Sequence, residues 1–273
     1  MATTKQLSII VPSFRDERIL DTIASIRAFD DLGTVRIVII DGGSDGSLLD
    51  ALRPLLTSDD ILVSEPDKGI FDALNKGLDR VETPYMGWLG SDDLYTRSAK
   101  SSKVIAALES HDLYVMDLVL VRDGQIRRRT HSWPCSKGLV RFGLHNPHYT
   151  TFGRSALLCK HRFRLDLTGS DIDYFLRVFA EKPRVKHDPA VGMLMAEGGY
   201  STGGYGKMVR SNGQLFDAYR THSGRLGAAF ALTLKLGYKA IGILQHKVMH
   251  RDTAPFLQPE LKAGRPHPAR ISA

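Results

Sequence analysis

Val35-Arg-Ile-Val-Ile-Ile-Asp-Gly-Gly-Ser-Asp-Gly46 is an apolar, β-branched run that stops on an aspartate and a glycine-rich polar loop. β-Branched residues suit strands, while Gly, Asp and Ser punctuate them. The same unit recurs on both sides. Leu7-Ser-Ile-Ile-Val-Pro12 runs into Ser13-Phe-Arg-Asp16, and the weaker Ile61-Leu-Val63 is followed by Glu65-Pro-Asp-Lys-Gly69. Pro84-Tyr-Met-Gly-Trp-Leu89 then leads to Gly90-Ser-Asp-Asp93. Between the first two runs, Ile19, Leu20, Ile23, Ile26 and Phe29 fall at helical spacing, as Phe71, Leu74 and Leu78 do later. Strands alternating with helices predict an α/β fold with a mostly parallel central sheet flanked by helices. Right-handed crossovers bring all four polar loops to one edge, outside the carboxyl ends of the strands, where such folds bind ligands.

After residue 110 the pattern changes. Two strand-like runs, 113–121 and 125–129, flank Asp123-Gly124, a preferred hairpin pair. A strand is expected around Thr150-Thr-Phe152, a helix carrying Ile172, Phe175, Leu176 and Phe179, and a strand from Val191 to Met195. Gly198-Gly-Tyr-Ser201 with Gly203-Gly204 reads as a flexible loop, residues 207–250 as helical, and the chain from Pro255 as a loose tail.

The chain has 273 residues and a net charge of +7. That charge is uneven: −6 over residues 1–100 and +13 over residues 101–273. A basic second half attracts phosphates or an anionic membrane surface. No zinc-finger spacing or aromatic RNA-binding signature accompanies it, so no nucleic-acid partner is expected. Met1-Ala-Thr-Thr-Lys5 runs straight into a strand without an apolar leader, and Cys135 and Cys159 match no metal or redox spacing. Both point to the cytoplasm.

Two loops carry the chemistry. Adjacent carboxylates at Asp92 and Asp93 disfavour each other's ionisation, and a hard divalent cation with oxygen ligands offsets that repulsion. The competing reading is an Asp N-cap for a helix beginning near Tyr95. Asp41, at a strand end, suits a hydrogen-bond acceptor for a base or ribose. The first loop lacks the glycines of a dinucleotide fingerprint, which counts against that class and against methyltransferases.

Seven motifs in order resemble family 2 glycosyltransferases, over roughly residues 6–200. They are Ile9-Ile-Val-Pro-Ser-Phe14, Ile40-Asp-Gly-Gly-Ser-Asp-Gly-Ser47, Asp67-Lys-Gly-Ile-Phe-Asp-Ala-Leu-Asn-Lys-Gly77, Leu89-Gly-Ser-Asp-Asp93, Asn146-Pro-His-Tyr-Thr-Thr-Phe152, Ser170-Asp-Ile-Asp-Tyr-Phe-Leu-Arg177 and Gly198-Gly-Tyr-Ser201. Their phrasing is similar to the branch that builds bacterial exopolysaccharides such as colanic acid. The resemblance implies a GT-A fold, with a catalytic domain over 1–203 (a nucleotide-sugar half, 1–110, and an acceptor half, 111–203) and a helical C-terminal extension over 204–273. It implies an inverting transfer of a sugar from a nucleotide-diphosphate sugar to a hydroxyl of a glycan or lipid-linked acceptor, in surface polysaccharide biosynthesis.

The resemblance also assigns roles. Asp171 becomes the catalytic base. Pro12, Ser13, Asp41, Lys68, Asn75, Ser91 and Asp92 line the donor. Asp92 and Asp93 bind Mg2+ or Mn2+, and His148, Asp173 and Ser201 lie on the acceptor side. Three positions depart from the pattern: Gly90 replaces the first acid of D-x-D, Ser170 the first acid before the late helix, and Leu74 the arginine before Asn75. Asp171 and Asp173 also fit helix-capping and dipole roles, with Arg177 able to pair with Asp173 one turn on. A nucleotidyltransferase making nucleotide sugars and a non-catalytic sugar-nucleotide-binding scaffold are the competing classes. Residues 226–244 form an apolar helix interrupted by Lys235 and Lys239, suited either to peripheral contact with the inner membrane surface or to packing on protein.

Overall fold

Strand β1 (Leu7–Ser13) is buried at every position, as a central parallel strand covered on both faces must be. Its residues alternate between two layers. Leu7, Ile9 and Val11 pack with Ile19, Ile23, Ile26 and Phe29 of α1 (Ile19–Phe29), while Ile10 faces Leu74 and Leu78 of α3 (Ile70–Leu78). β2 (Val35–Asp41) splits the same way, with Val35, Ile37 and Ile39 toward α1 and Val38 and Ile40 toward α3. Period-2 side-chain alternation thus assigns each apolar residue of the two runs to one of two helix layers.

The computed structural model describes residues 4–132, 148–167, 169–196, 205–246 and 253–258. The remaining elements, in chain order, are α2 (Gly46–Leu52), β3 (Ile61–Ser64), β4 (Tyr85–Trp88), β5 (Leu94–Tyr95), α4 (Ser101–Ser110), β6 (Leu113–Arg122) and β7 (Gln125–Thr130). A short 3-10 turn (His148–Thr150) then leads to β8 (Thr151–Arg154), α5 (Ser155–Leu158), α6 (Ser170–Ala180), β9 (Val185–Ala196) and α7 (Tyr205–His246). The sheet runs β3-β2-β1-β4-β8-β6-β9-β5, with β7 beside β6. β3, β2, β1 and β4 are mutually parallel, as are β6 and β9, and antiparallel pairings of β8 with β4 and β6 join the two halves. The chain leaves β1 outward through β2 and β3, then returns to β1's other side as β4. The carboxyl ends of β1 and β4 therefore flank a topological switch point.

The Asp123-Gly124 hairpin forms as expected, with both residues at positive φ (50° and 68°), the geometry of a type I′ turn. Two expectations fail. No helix begins near Tyr95: Leu94 and Tyr95 pair antiparallel with Leu194 and Met193 as β5, and the next helix starts at Ser101. Asp92 and Asp93 are consequently not a helix cap. Nor are the first residues of the expected loose tail, 255–258, loose; the rest of that tail lies outside the described residues. Thr253 N–H donates to Gly124 O and Gln258 Nε2 to Thr96 O, both at 3.0 Å, with Leu257 buried between. The long helix α7 is interrupted at Gly224, whose φ of 68° and ψ of −179° are not helical. No helix among the described residues is long and apolar enough to cross a membrane.

An aromatic cluster joins the two halves of the sheet edge. Trp88 of β4 meets Phe163, Tyr174 and Phe175 edge-on at 5.9, 5.8 and 5.7 Å between ring centroids. Phe163 stacks on Tyr174 at 4.3 Å, and Tyr174 Oη donates to Leu158 O at 2.6 Å. Trp88→Ala empties the centre of this cluster and should lower unfolding stability by about 3–5 kcal/mol. The denaturation midpoint should fall with an unchanged m-value.

Candidate active site

The first wall of the cleft is built at the ends of β1 and β2. Asp41 is fully buried. Its Oδ2 accepts from Gly43 N–H (3.1 Å), Ser44 N–H (2.8 Å) and Ser64 Oγ (2.7 Å), and its Oδ1 accepts from Ser44 Oγ. Burial pushes this carboxyl's pKa up, but the hydroxyl and amide donors outweigh burial and hold it below its ordinary value. Four donors match the acceptor capacity of a carboxylate, so Asp41 shapes the loop from within. Pro12 and Ser13 lie opposite Ile40 and Asp41 across the β1–β2 ladder. Ser13 Oγ is buried with no hydrogen-bond partner among the described residues.

Gly42 allows a close approach: a Cβ there would lie 2.6 Å from Asp67 Oδ2 and 3.1 Å from the Phe14 ring. Phe14 is 57% exposed, with the Arg15 guanidinium 5.0 Å from its ring centroid. Arg15 itself sits at φ 49° and donates its N–H to Ser44 Oγ. Phe14 and Asp67 thus close against Gly42, and the Phe14 ring keeps an exposed face. The sequence places these residues in three separate polar loops. The available signal was a bare aromatic side chain immediately past a buried strand.

On the third loop the expected donor residues are divided. Lys68 is exposed, and its backbone N–H donates to Asp72 Oδ2. Lys76 Nζ is held by Glu65 (2.8 Å) and by Pro66 O (2.9 Å). Both ends of the Asn75 amide are engaged by the backbone of Phe163, each at 2.8 Å, so Asn75 pins the segment that carries the aromatic cluster.

The fourth loop gathers the acids. Thr22 Oγ1 lies 2.9 Å from the carbonyl oxygens of both Ser91 and Asp93, tying the loop to α1. Ser91 Oγ is 3.4 Å from Asp16 Oδ2. Arg18 grips Asp16 with two hydrogen bonds and reaches Asp92 at 3.5 Å. Buried Asp93 accepts from Ala196 N–H at 3.1 Å. Burial and then the negative charge of Asp92 push the Asp93 carboxyl well up. Burial likewise raises Asp92, against the pull of Arg18. Both carboxylates turn over Gly90: a Cβ there would stand 2.7 Å from Asp93 Oδ2 and 3.3 Å from Asp92 Oδ1. A side chain at position 90 would displace them, which explains the departure from an acid there. This pair of hard oxygen donors fits a divalent cation. Among the described residues, no third His, Cys, Asp or Glu completes a protein-only metal cluster.

The late helix α6 packs on Trp88 of β4, the strand that leads into this pair. Gly169, not Asp171, is its N-cap residue, and Asp171 lies in the first turn. Ser170 Oγ instead accepts the N–H of Arg164. Tyr149, from the 3-10 turn, is within electrostatic reach of both groups of acids. Its phenol is pushed far up, first by burial and then by the charges of Asp171, Asp93 and Asp92. Asp173 is buried and bound by Arg177 and His222. The side chain of His148, together with Ser201 and the glycines around it, lies outside the described residues.

Because the folded Asp41 carboxyl titrates below its ordinary 3.8, its contribution to stability is fully present above that pH. It is lost as pH falls through the lower, folded value. Asp41→Asn replaces an acceptor with a donor facing other donors. It should cost about 1–3 kcal/mol at neutral pH and flatten the acid limb of a stability–pH curve measured by urea denaturation.

The profile described as Glycosyl transferase family 2 matches residues 8–164, more than half of the chain. A PGL/p-HBAD biosynthesis glycosyltransferase of Mycobacterium bovis is 29% identical over 119 residues, covering 41% of this chain and 46% of that protein. The chain's match therefore spans less than half the length of this relative. Among solved structures, Staphylococcus aureus TarS 1-349 in complex with UDP-GlcNAc aligns with a TM-score of 0.56 and 16% identity, covering 78% of this chain and 65% of that one. The mannosyltransferase PcManGT of Pyrobaculum calidifontis, in complex with GDP-Man and Mn2+, aligns at 0.52 with 15% identity, covering 90% and 78%. These likenesses agree with the mixed α/β sheet described above. With its parallel β3-β2-β1-β4 edge and the acids gathered at its carboxyl end, the chain belongs to glycosyl transferase family 2.

Proposed function

We propose that this chain is an inverting glycosyltransferase that moves a sugar from a nucleotide-diphosphate donor to a hydroxyl of a glycan or lipid-linked acceptor in surface polysaccharide biosynthesis. The observation that carries this reading is that the Trp88 ring of β4, the strand leading into Asp92 and Asp93, packs against Tyr174 and Phe175 of α6, the helix whose first turn carries Asp171. Family membership and a relative named for PGL/p-HBAD biosynthesis support sugar transfer to a biosynthetic intermediate. The exposed Phe14 ring, with the Asp67 carboxylate beside Gly42, offers a flat aromatic face and an acceptor, which suit a nucleobase.

Asp171 takes the proton of the acceptor hydroxyl onto a carboxylate oxygen as that hydroxyl attacks the anomeric carbon. The bond from that carbon to the diphosphate oxygen breaks, and its electron pair leaves with the nucleoside diphosphate. A helix anchored by buried Phe175, Leu176 and Phe179 keeps the base against the cleft. Asp92 and Asp93 would hold Mg2+ or Mn2+, with diphosphate oxygens completing the coordination. Bound there, the ion stabilises the charge that builds on the departing phosphate. A fold neighbour solved with GDP-Man and Mn2+ supports this choice of cofactor.

Asp171→Asn keeps the side-chain shape and leaves the Gly169 cap untouched. Its turnover should fall by about a hundredfold or more, the usual contribution of a positioned base. Donor affinity should be nearly unchanged, because the lost interaction belongs to the transition state. Stability should change by only about tenths of a kcal/mol, because Asn keeps the shape of this half-buried side chain. Near-normal turnover per folded molecule would move the base elsewhere.

Past Gly224, helix α7 presents an exposed apolar stripe. Leu226 is 89% and Phe230 52% exposed, Ala229 is exposed between them, and Ala228 and Ala231 are buried on the opposite side. With exposed Arg225 beside it and +13 on the second half of the chain, this stripe suits the anionic, cytoplasmic face of the inner membrane. Leu226→Glu with Phe230→Glu should abolish co-sedimentation with phosphatidylglycerol vesicles while leaving nucleotide binding intact. Unchanged sedimentation would leave the stripe without a lipid role.

A further inference from the structure

Asp173 lies two residues beyond Asp171, and its side chain is only 3% exposed. A buried charge needs a partner at each oxygen. The two partners come from different places. Arg177, one turn along α6, binds Oδ2 through Nε (3.0 Å) and a terminal nitrogen (2.9 Å). His222 of α7 reaches Oδ1 through Nε2 at 2.8 Å. Arg177 also donates to Arg162 O at 2.6 Å, next to the Phe163 backbone that Asn75 holds. The carboxylate therefore ties the first turns of α6 to α7 on one side and to the 162–163 segment and α3 on the other. Leu215, Ala218 and Tyr219 are buried along the same stretch of α7 that carries His222, which ends at the Gly224 break. Burial would raise the Asp173 carboxyl, but the His222 hydrogen bond and the Arg177 charge overcome it and hold the group ionised.

We propose that His222 is a positioning residue for sugar transfer: by holding Asp173 Oδ1 from α7, it sets the first turn of α6 and hence the direction of Asp171. This rests on the reading of Asp171 as base. Without His222, Oδ1 is left buried and unpaired, and the carboxylate can regain a partner only by moving the turn that also carries Asp171. Misplacement of a catalytic group by about 1 Å costs up to a hundredfold in rate.

The test compares His222→Met, which keeps volume and removes the donor, with His222→Gln, which keeps a donor. Both are assayed well below their melting temperatures, alongside Asp171→Asn and the Asp171→Asn/His222→Met double variant. His222→Met should lose roughly tenfold to a hundredfold in kcat at unchanged donor KM, and His222→Gln should recover most of it. In the Asp171→Asn background, His222→Met should produce no further loss, because its effect passes through the missing base. Full turnover of His222→Met beside an inactive Asp171→Asn overturns the positioning role alone, as does an equal loss in both backgrounds. Near-normal turnover of Asp171→Asn overturns the base reading, and the positioning role falls with it.

Discussion

The face-to-edge contacts of Trp88 with Phe163, Tyr174 and Phe175 are the constraint on which the site depends. β4 delivers Gly90–Asp93 and α6 delivers Asp171, and about eighty residues of chain separate them. Local structure cannot fix the distance between such elements. Large rigid rings can, because their stacked and edge-on geometries have few alternatives at interior packing density. Tyr174 adds a hydrogen bond to Leu158 O and so locks the rotation of α6 about its own axis.

Within that frame, the acids differ in how far the protein satisfies them. Asp41 is surrounded by donors, Asp173 has a cation or imidazole at each oxygen, and both titrate below the ordinary carboxylate value. Asp93 is just as buried, yet the backbone amides of Ala196 and Gly90 and the more distant Arg18 do not offset its burial and the charge of Asp92, and its pKa moves the other way. The protein thus completes the carboxylates that organise loops and helices, and leaves under-compensated negative charge beside Gly90. Under-compensated charge at a topological switch point marks this loop as the candidate functional site.

The family match ends at residue 164, before α6, β9 and α7. Those later elements still complete the earlier ones. β9 pairs with β6 and β5, its Ala196 N–H holds Asp93, and Gln258 caps the exit of β5 at Thr96 O. The first half supplies the loops, and the second half fixes the orientation of their side chains. The C-terminal helix contributes His222 to the same network and, past Gly224, an exposed apolar stripe.

Much of the fold was legible in the chain itself. Continuous apolar runs at 7–12 and 35–40, helical spacing at Ile19–Phe29, and Asp123-Gly124 each specify an element through contacts within a few residues. The order of polar loops also located the cleft edge, since right-handed crossovers leave one choice. What stayed hidden depends on partners far along the chain. Leu94-Tyr95 is a strand because Leu194 and Met193 lie alongside it, although the sequence after Asp93 suits a helix start. The tail at 253–258 is ordered because the hairpin turn and Thr96 accept its hydrogen bonds. Asn75 braces Phe163, and Asp173 answers to His222, forty-nine residues on. Periodicity and turn chemistry act over one or two turns of chain and are written in residue spacing. The partner of a buried carboxylate or of a two-residue strand is decided only when distant segments share one core, and there the tertiary structure chose.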